Sequence, residues 1–558
     1  MNNTFCPAVP LAAGSAAAFY GLYLLRQAGY ALSSQVFLGA VGLSVLVAVL
    51  KAGKQVTGNR IPYPAGRLLF AIRLVFWFAA GCAVGAYAEL SMRNEQRPPA
   101  TLAELSEVRT LSAELCAEPV PAGKDYYRVR SRILACGTSG AELYSASGTA
   151  DIFLPAALIR AAYAGGITRH TGTAQQNSIL LSVTGAVRAG EARHSAEFIH
   201  TAGLTAASAL KPEGCRFYAA GLRMLVEGRF HKSGTVFYAR PQQPLFLGWR
   251  QPVSRWRAFF RFHFMRLLYG WGEAGGLLLA LLAADKIFLP PACTAAFRDA
   301  GLAHILALSG MHLSLIGAAA LQSGAVFKHK KYAVRFSLAA VCFFVWFAGS
   351  APSLNRALGM CMLTAAGTML GVRPPLKAVL CMMLTVHIGV KGAEALTAGF
   401  MLSYGACAGI IVFGDACARL TTGMLPPAVI QSLSASIGAQ LFTAPIVIAA
   451  IGSAASAGIV ASCAVSPLAS AFLITGLICI PLAVLFPIVS PLAGYILNGL
   501  YVLIVKTAEF FSRFPLITAE TPAQVIFISA AAFAAGLVLL VLAARYAKQS
   551  EKKMPQFT

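Results

Sequence analysis

The chain runs to 558 residues, of which 57% are hydrophobic and only 12% charged, with a mean hydropathy of +0.68. Ordinary soluble domains carry roughly 25% charged residues, so a soluble globular domain is excluded and a polytopic α-helical membrane protein is expected. The formal charge of +24 and pI near 9.8 fit basic cytoplasmic loops and equally a protein that handles a polyanion, and charge alone does not separate the two.

Three apolar runs open the chain, at about 8–25, 34–50 and 68–90, each near the ~20 residues that cross a bilayer core. The first lacks the basic stretch of a cleaved signal peptide. Lys51, Lys54, Arg60 and Arg67 lie between the second and third runs, whereas the first loop holds Arg26. The positive-inside rule then places the 51–67 loop and the N-terminus in the cytoplasm and the chain beyond residue 90 outside.

Residues 91–250 contain no spanning run. Short stretches at 126–134, 177–187, 223–230 and 235–239, separated by Gly, Ser, Thr and Pro, predict a small all-β domain. Over 91–272 there are 22 Lys/Arg against 12 Asp/Glu, a positive excess on the outer side that runs against the topological bias. Lys124, Arg128, Arg130 and Arg132 flank Tyr126 and Tyr127, joining charge to stacking as a single-strand-binding surface requires; a solvated basic strand reads the same way. Cys116 and Cys136 could pair in an oxidising exterior and leave Cys215 over, although spacing does not establish the pairing. Cys82, Cys342, Cys361, Cys381, Cys407, Cys463 and Cys479 sit in apolar segments and read as small buried hydrophobes. No zinc spacing appears.

Over 252–271, Arg255, Arg257, Arg261 and Arg266 alternate with aromatics. This predicts an interfacial amphipathic helix with aromatics in the lipid, and the same mixture would suit nucleic acid. Residues 277–292 are too short and interrupted to span easily and read as re-entrant or surface-lying. Apolar runs return at about 301–326, 335–350, 356–371, 377–391, 395–413, 429–451, 457–479, 483–505 and 523–545. Lys328, Lys330, Lys331 and Arg335, then Arg373 and Lys377, then Lys548, Lys552 and Lys553 fall inside if residue 301 starts outside. The expected total is about twelve transmembrane helices with both termini cytoplasmic, arranged as N-terminal helices (1–90), a β-rich extracytoplasmic insertion (91–250), an amphipathic segment (251–292) and a second helical block (293–550).

The segment 297–316 runs two imidazoles, two hydroxyls and two glycines into an apolar stretch. Polar side chains in a bilayer mark a pathway or a site. His304 and His312 are eight residues apart, which on one helix puts both on one face with Ser309 and Gly310 between them. Inter-helix hydrogen bonding would also account for them. Asp285 and Lys286 could line the mouth of a pore or simply be solvated. Arg298 belongs with them, while Asp299 can serve the helix dipole. Asn355 and Arg356 sit between two spans, where an arginine can snorkel or meet a phosphate bidentately. Gln440, with Thr443 and Pro445, gives a polar site and a kink within an apolar helix.

In order along the chain, Ala-Asp-Lys (284–286), Phe-Arg-Asp-Ala-Gly-Leu-Ala-His-Ile-Leu-Ala-Leu-Ser-Gly-Met-His (297–312), Ala-Pro-Ser-Leu-Asn-Arg-Ala (351–357), Phe-Met-Leu-Ser-Tyr (400–404) and Ala-Gln-Leu-Phe-Thr-Ala-Pro (439–445) resemble the competence domain of the ComEC family, the inner-membrane DNA channel of natural transformation. The strongest piece is similar to that family's Gly-Leu-x-His-Leu-Leu-Ala-Ile-Ser-Gly-Leu-His signature. The resemblance covers about 90–550 and implies that the β domain is OB-like. Two positions depart from the family's pattern: Ala284 stands where a Gly is usual, and Ser462 where an Asn is.

The implied function is conduction of single-stranded DNA into the cytoplasm across the bacterial cytoplasmic membrane, with Asp285, Lys286, Arg298, His304, Ser309, Gly310, His312, Asn355, Arg356 and Gln440 as path candidates. Membrane lipids and separate motor and receptor proteins are the implied partners, and a homodimer stays open. No Gly-x-x-x-x-Gly-Lys-Ser/Thr loop is present to bind ATP. Many family members end in a metallo-β-lactamase-like nuclease domain, whereas this chain stops at Thr558 and has no His-x-His-x-Asp-His among its nine histidines. No enzyme activity, metal or cofactor is therefore expected, and strand degradation would need a separate nuclease. The competing readings are a secondary transporter or lipid-handling protein, and a family member that has lost transport.

Overall fold

The computed structural model describes residues 8–27, 64–95, 104–123, 125–138, 143–159, 218–231, 234–241, 244–324, 330–349, 351–421 and 426–553. The expected strand at 177–187 and the apolar run at 34–50 lie outside them. Contacts divide the chain into two units, Arg93–Leu267 and the combination of Met1–Met92 with Leu268–Thr558.

In the first unit, period-two alternation of buried and exposed side chains builds the strands. They are β1 (Thr110–Leu115), β2 (Val120–Ala122), β3 (Tyr126–Gly137), β4 (Leu143–Ser145), β5 (Thr149–Pro155), β6 (Leu222–Phe230), β7 (Val236–Ala239) and β8 (Leu245–Trp249). They pair in the order β1-β3-β5-β7-β6, and β6 returns to β1, so five strands close into a barrel. The β5–β7 pair is parallel and the other pairs are antiparallel. Leu111, Leu115, Ile133, Ile152, Leu154 and Phe237 fill the interior. Glu114 is buried at the barrel wall with Arg250 at 3.1 Å and Arg223 at 3.8 Å, the pairing that a buried carboxylate requires.

The helix α3 (Pro252–Tyr269) reverses the usual polarity of an amphipathic helix. Its buried side carries Arg261, 6% exposed, and Arg257, which reaches Glu118 at 3.0 Å. Burial pulls the Arg257 guanidinium below its ordinary pKa, and the Glu118 charge opposes that shift. The exposed side carries Trp256, Phe259 and Phe260, which form an aromatic cluster with His263.

The second unit is helical. Before the insertion come α1 (Ala8–Gln27) and α2 (Pro64–Glu95). They cross at glycines: a methyl on Gly14 would strike the Phe78 carbonyl, and one on Gly81 the Leu11 carbonyl. Small residues that admit a neighbouring backbone are what lipid-embedded helix pairs use. After the insertion come α4 (Gly272–Ala283), α5 (Pro291–Asp299), α6 (Gly310–Ser323), α7 (Lys330–Ala348), α8 (Pro352–Met369), α9 (Leu376–Val390) and the single turn α10 (Gly392–Ala395). The remaining helices are α11 (Ala398–Gly409), a π-helical turn at Ile410–Gly414, α12 (Asp415–Thr421), α13 (Pro427–Ile451), α14 (Gly458–Leu485), α15 (Ser490–Ser512) and α16 (Pro522–Lys553).

Among the described residues five helices are long and apolar enough to cross a membrane: Val75–Met92, Val429–Ile451, Gly458–Leu485, Pro487–Ser512 and Pro522–Tyr546. Shorter apolar helices lie at Ala8–Leu24, Gly272–Ala283, Tyr332–Ala348, Leu376–Val390 and Ala398–Gly414. The protein is a multi-pass membrane protein with a β-barrel-like insertion. The expected span at 301–326 is corrected: 301–309 is a looped turn, and helix begins only at Gly310. Likewise 277–292 is not surface-lying, since α4 is buried from Ala274 to Ala283.

Candidate functional site

The loop before α6 is shaped by glycine and serine. Gly301 has φ +75°, and a methyl there would come within 2.9 Å of the Ala455 Cβ and 3.1 Å of the Gly458 Cα, so both its conformation and its neighbours demand glycine. His304 turns back on this loop, its Nδ1 lying 3.2 Å from the Gly301 carbonyl. Gln440 is at the same place, its Nε2 3.3 Å from where a Gly458 Cβ would sit. Ser462, at the position where the resemblance led us to expect Asn, donates its hydroxyl to the Gly458 carbonyl of its own helix at 2.7 Å.

Ser309 is extended (φ −128°) and caps α6. Its backbone N–H donates to His312 Nδ1 at 3.1 Å, with the Ser309 Oγ 3.0 Å from the same nitrogen. A histidine thus occupies the third helical position where a capping box usually has Glu or Gln. Because Nδ1 accepts, Nε2 carries the proton. That Nε2 is buried with no hydrogen-bond partner, on a side chain that is 0% exposed. His304 and His312 do not share a helix face as their spacing predicted, because a glycine-set turn and a cap separate them.

The start of α8 packs on the start of α6. The Ser353 hydroxyl donates to the Leu308 carbonyl, and the Arg356 Nη2 lies 3.8 Å from where a Gly310 Cβ would be. Arg356 Nη1 donates to the Ser403 carbonyl, and its guanidinium carbon stands 6.0 Å from the centre of the Tyr404 ring. No carboxylate among the described residues pairs with Arg356.

Sequence reasoning missed the group behind this arginine. Glu394 accepts from Lys391 Nζ at 2.8 Å, His387 Nε2 at 3.0 Å and Asn355 Nδ2 at 3.3 Å. His387 Nδ1 lies 3.1 Å from the Tyr404 hydroxyl, which donates to the Met383 carbonyl at 3.2 Å. Three ionisable residues within eight positions of an apolar stretch were the available signal, but the run at 377–391 ended on Lys391 and 392–394 fell between spans.

The other path candidates make local contacts. Asp285 Oδ1 accepts the Ile287 N–H at 3.1 Å, and Arg298 pairs with its neighbour Asp299 at 3.0 Å. Lys286 is exposed in the same turn as Asp285. Ala284, preceding them, is left-handed at φ 56°, the one non-glycine with positive φ among the described residues.

On the barrel, Tyr126, Arg128, Arg130 and Arg132 alternate outward along β3, whereas Tyr127 falls on the opposite side of the strand; the two tyrosines therefore do not present one surface. Lys124 lies outside the described residues. The register sets Phe153 beside Arg128 and Tyr238 beside Phe153, giving an aromatic group in which Tyr126 is 5.9 Å and Phe153 5.1 Å from the Tyr238 ring. Arg130 faces Asp151 across the ladder. Cys116 is exposed and Cys136 is buried, both as free thiols, so the bridge they could have formed is absent between them; Cys215 is outside the described residues.

No curated protein and no solved structure matches the chain. Residues 281–546, which include the loop before α6, Arg356 and the polar group behind it, match the family model described as Competence protein, so this part of the chain is a competence domain, the domain of the ComEC membrane-channel family.

Proposed function

We propose that this chain is a channel that conducts single-stranded DNA across the bacterial inner membrane into the cytoplasm, driven by a separate motor protein. The competence domain supports a role in DNA uptake during transformation. The observation that carries the finer reading is Arg356, a guanidinium without a carboxylate partner among the described residues, set beside the N-terminal turn of α6 at Gly310. A phosphate in a low dielectric needs a compensating charge or donor, and the unpartnered Nε2–H of His312 on the same turn adds a donor.

In this reading about twelve spans surround the path, and the domain at 91–250 is OB-like and faces outward. The five-stranded barrel with one parallel closure supports the OB-like description, and its Tyr126, Phe153 and Tyr238 cluster beside Arg128 offers the stacking and charge that single strands use. The helix α3 lies at the membrane surface, and 293–550 forms the channel. Replacement Arg356→Ala is expected to leave membrane levels normal and to reduce transformation and uptake of labelled DNA by about tenfold or more, the scale of one lost charge-assisted contact. Unchanged uptake at equal protein levels would remove Arg356 from the path.

A further inference from the structure

Resting on the conduction reading, we infer that Ser403 is a further residue of the phosphate site at the start of α6, its hydroxyl donating to the same oxyanion that Arg356 holds. The ligand class is a phosphate oxyanion, a diester in the DNA strand, with inorganic phosphate as its simplest member.

Serine and threonine in apolar helices commonly return the hydroxyl to the carbonyl four residues earlier. Thr443, Ser462, Ser470 and Ser529 do so at 2.9, 2.7, 2.9 and 2.7 Å. Ser403 on α11 does not: its Oγ is buried and has no hydrogen-bond partner. A buried hydroxyl left this way costs stability, so the fold bears a cost at Ser403 that these other helix hydroxyls avoid.

What Ser403 borders is a cation. Its carbonyl accepts from Arg356 Nη1, which fixes the guanidinium against this residue and leaves the charge intact, since a carbonyl is neutral. Nη2 of the same group faces Gly310 in the first turn of α6, 3.8 Å from where a Cβ would sit. Nε is buried without a partner, as are the Ser403 hydroxyl and His312 Nε2. Each of the helices that meet at this guanidinium, α6, α8 and α11, thus carries a buried polar atom with no partner.

A phosphate oxygen takes hydrogen bonds best from charged donors and from helix N-termini, and the first N–H groups of α6 have no acceptor in their own helix. Gly310 keeps this place open, since a methyl on it would meet nothing closer than the Ala357 Cβ at 3.7 Å. The hydroxyl adds what the arginine lacks. A guanidinium is a planar, rigid fork, whereas a serine O–H rotates to follow its acceptor. Ser434 on α13 is the other serine among the described residues whose hydroxyl is buried without a partner. Its carbonyl lies 4.0 Å from where a Gly414 Cβ would sit, about 16 Å along the chain's helix from Ser403, which makes it the natural comparison.

The test uses the purified full chain in detergent and follows its melting temperature against inorganic phosphate at constant ionic strength. Phosphate is expected to stabilise the parent in a concentration-dependent way. S403A is expected to need about tenfold more phosphate for the same shift, the scale of one hydrogen bond to a charged group, while S434A keeps the parental response. An equal loss in S434A makes the effect one of packing and overturns the proposal, as does a parental response in S403A or no response in the parent. Without phosphate S403A is expected to melt no lower than the parent, because it removes a buried hydroxyl that bonds to nothing; lower melting, or failure to accumulate, means that the hydroxyl serves the fold and also overturns it. R356M separates the proposal from the reading beneath it. Loss of the response in R356M but not in S403A removes Ser403 alone, whereas an equal response in the parent and all the variants is a general salt effect and removes the Arg356 site with it. In strains with equal membrane levels S403A is expected to lower uptake of labelled DNA about tenfold, and parental uptake overturns its part in conduction.

Discussion

At the start of α6 the two ring nitrogens of His312 have different surroundings, one accepting from the Ser309 backbone and the other enclosed without a partner. The two roles separate by substitution. Glutamine at this position keeps an acceptor for the Ser309 N–H, as in an ordinary capping box, but loses the ring N–H. We expect His312→Gln to accumulate normally and to lose DNA uptake, whereas His312→Leu also loses the cap, at about 1 kcal/mol, and melts at lower temperature in detergent. Equal melting of the two would deny the capping role, and parental uptake in His312→Gln would deny the donor role. The chemistry of this segment was legible from its polar residues in an apolar run. Its shape was not: a spacing of eight implies one face only if helix is continuous, and Gly301 and Ser309 interrupt it. Ala284 is a related case, where the sequence showed a departure from glycine and the backbone shows what that position asks of an alanine, a left-handed conformation that costs about 1–2 kcal/mol.

Among the elements, α3 illustrates what periodicity leaves undecided. The alternation of Arg and aromatic residues identified an amphipathic helix, yet which face turns to protein depends on partners distant in sequence. Glu118 is the partner that draws Arg257 inward. The outward aromatic stripe then needs an apolar surrounding, with Arg255, His263 and Arg266 placed to meet headgroups. Trp256 is 58% exposed, and the signal lost on W256F isolates its fluorescence from that of the other four tryptophans. In proteoliposomes that signal is expected to be quenched by lipids brominated on the acyl chain and shielded from iodide. Iodide quenching without bromine quenching would mean that the stripe faces water. Helix number was similarly under-determined, because the shorter apolar helices beside the five long ones are near the limit at which burial within protein and crossing of lipid give the same composition.

For the molecule as a whole, the β insertion was legible as a domain because spanning runs stop and strand-like alternation begins. Its candidate surface was half legible. Tyr126 and the arginines of β3 are neighbours in sequence, but Phe153 and Tyr238 join them only through strand register, which no local pattern reveals. Replacing Tyr126 and Tyr238 together by alanine in the purified full-length protein is expected to weaken binding of a short single strand by about 1–3 kcal/mol per lost stack, read by fluorescence anisotropy. Unaltered affinity would assign the cluster to barrel packing.

The helical unit is assembled from pieces on either side of this insertion. Phe19 of α1 shares a core with Ile388 and Phe400, and the Tyr20 hydroxyl donates to the Ala395 carbonyl at 2.7 Å across 375 residues of sequence. A ribosome adding about 5–20 residues per second needs roughly 20–75 s to cover that distance. During biogenesis α1 is therefore made long before its partner exists, and the insertion has time to fold while the helical unit is still incomplete.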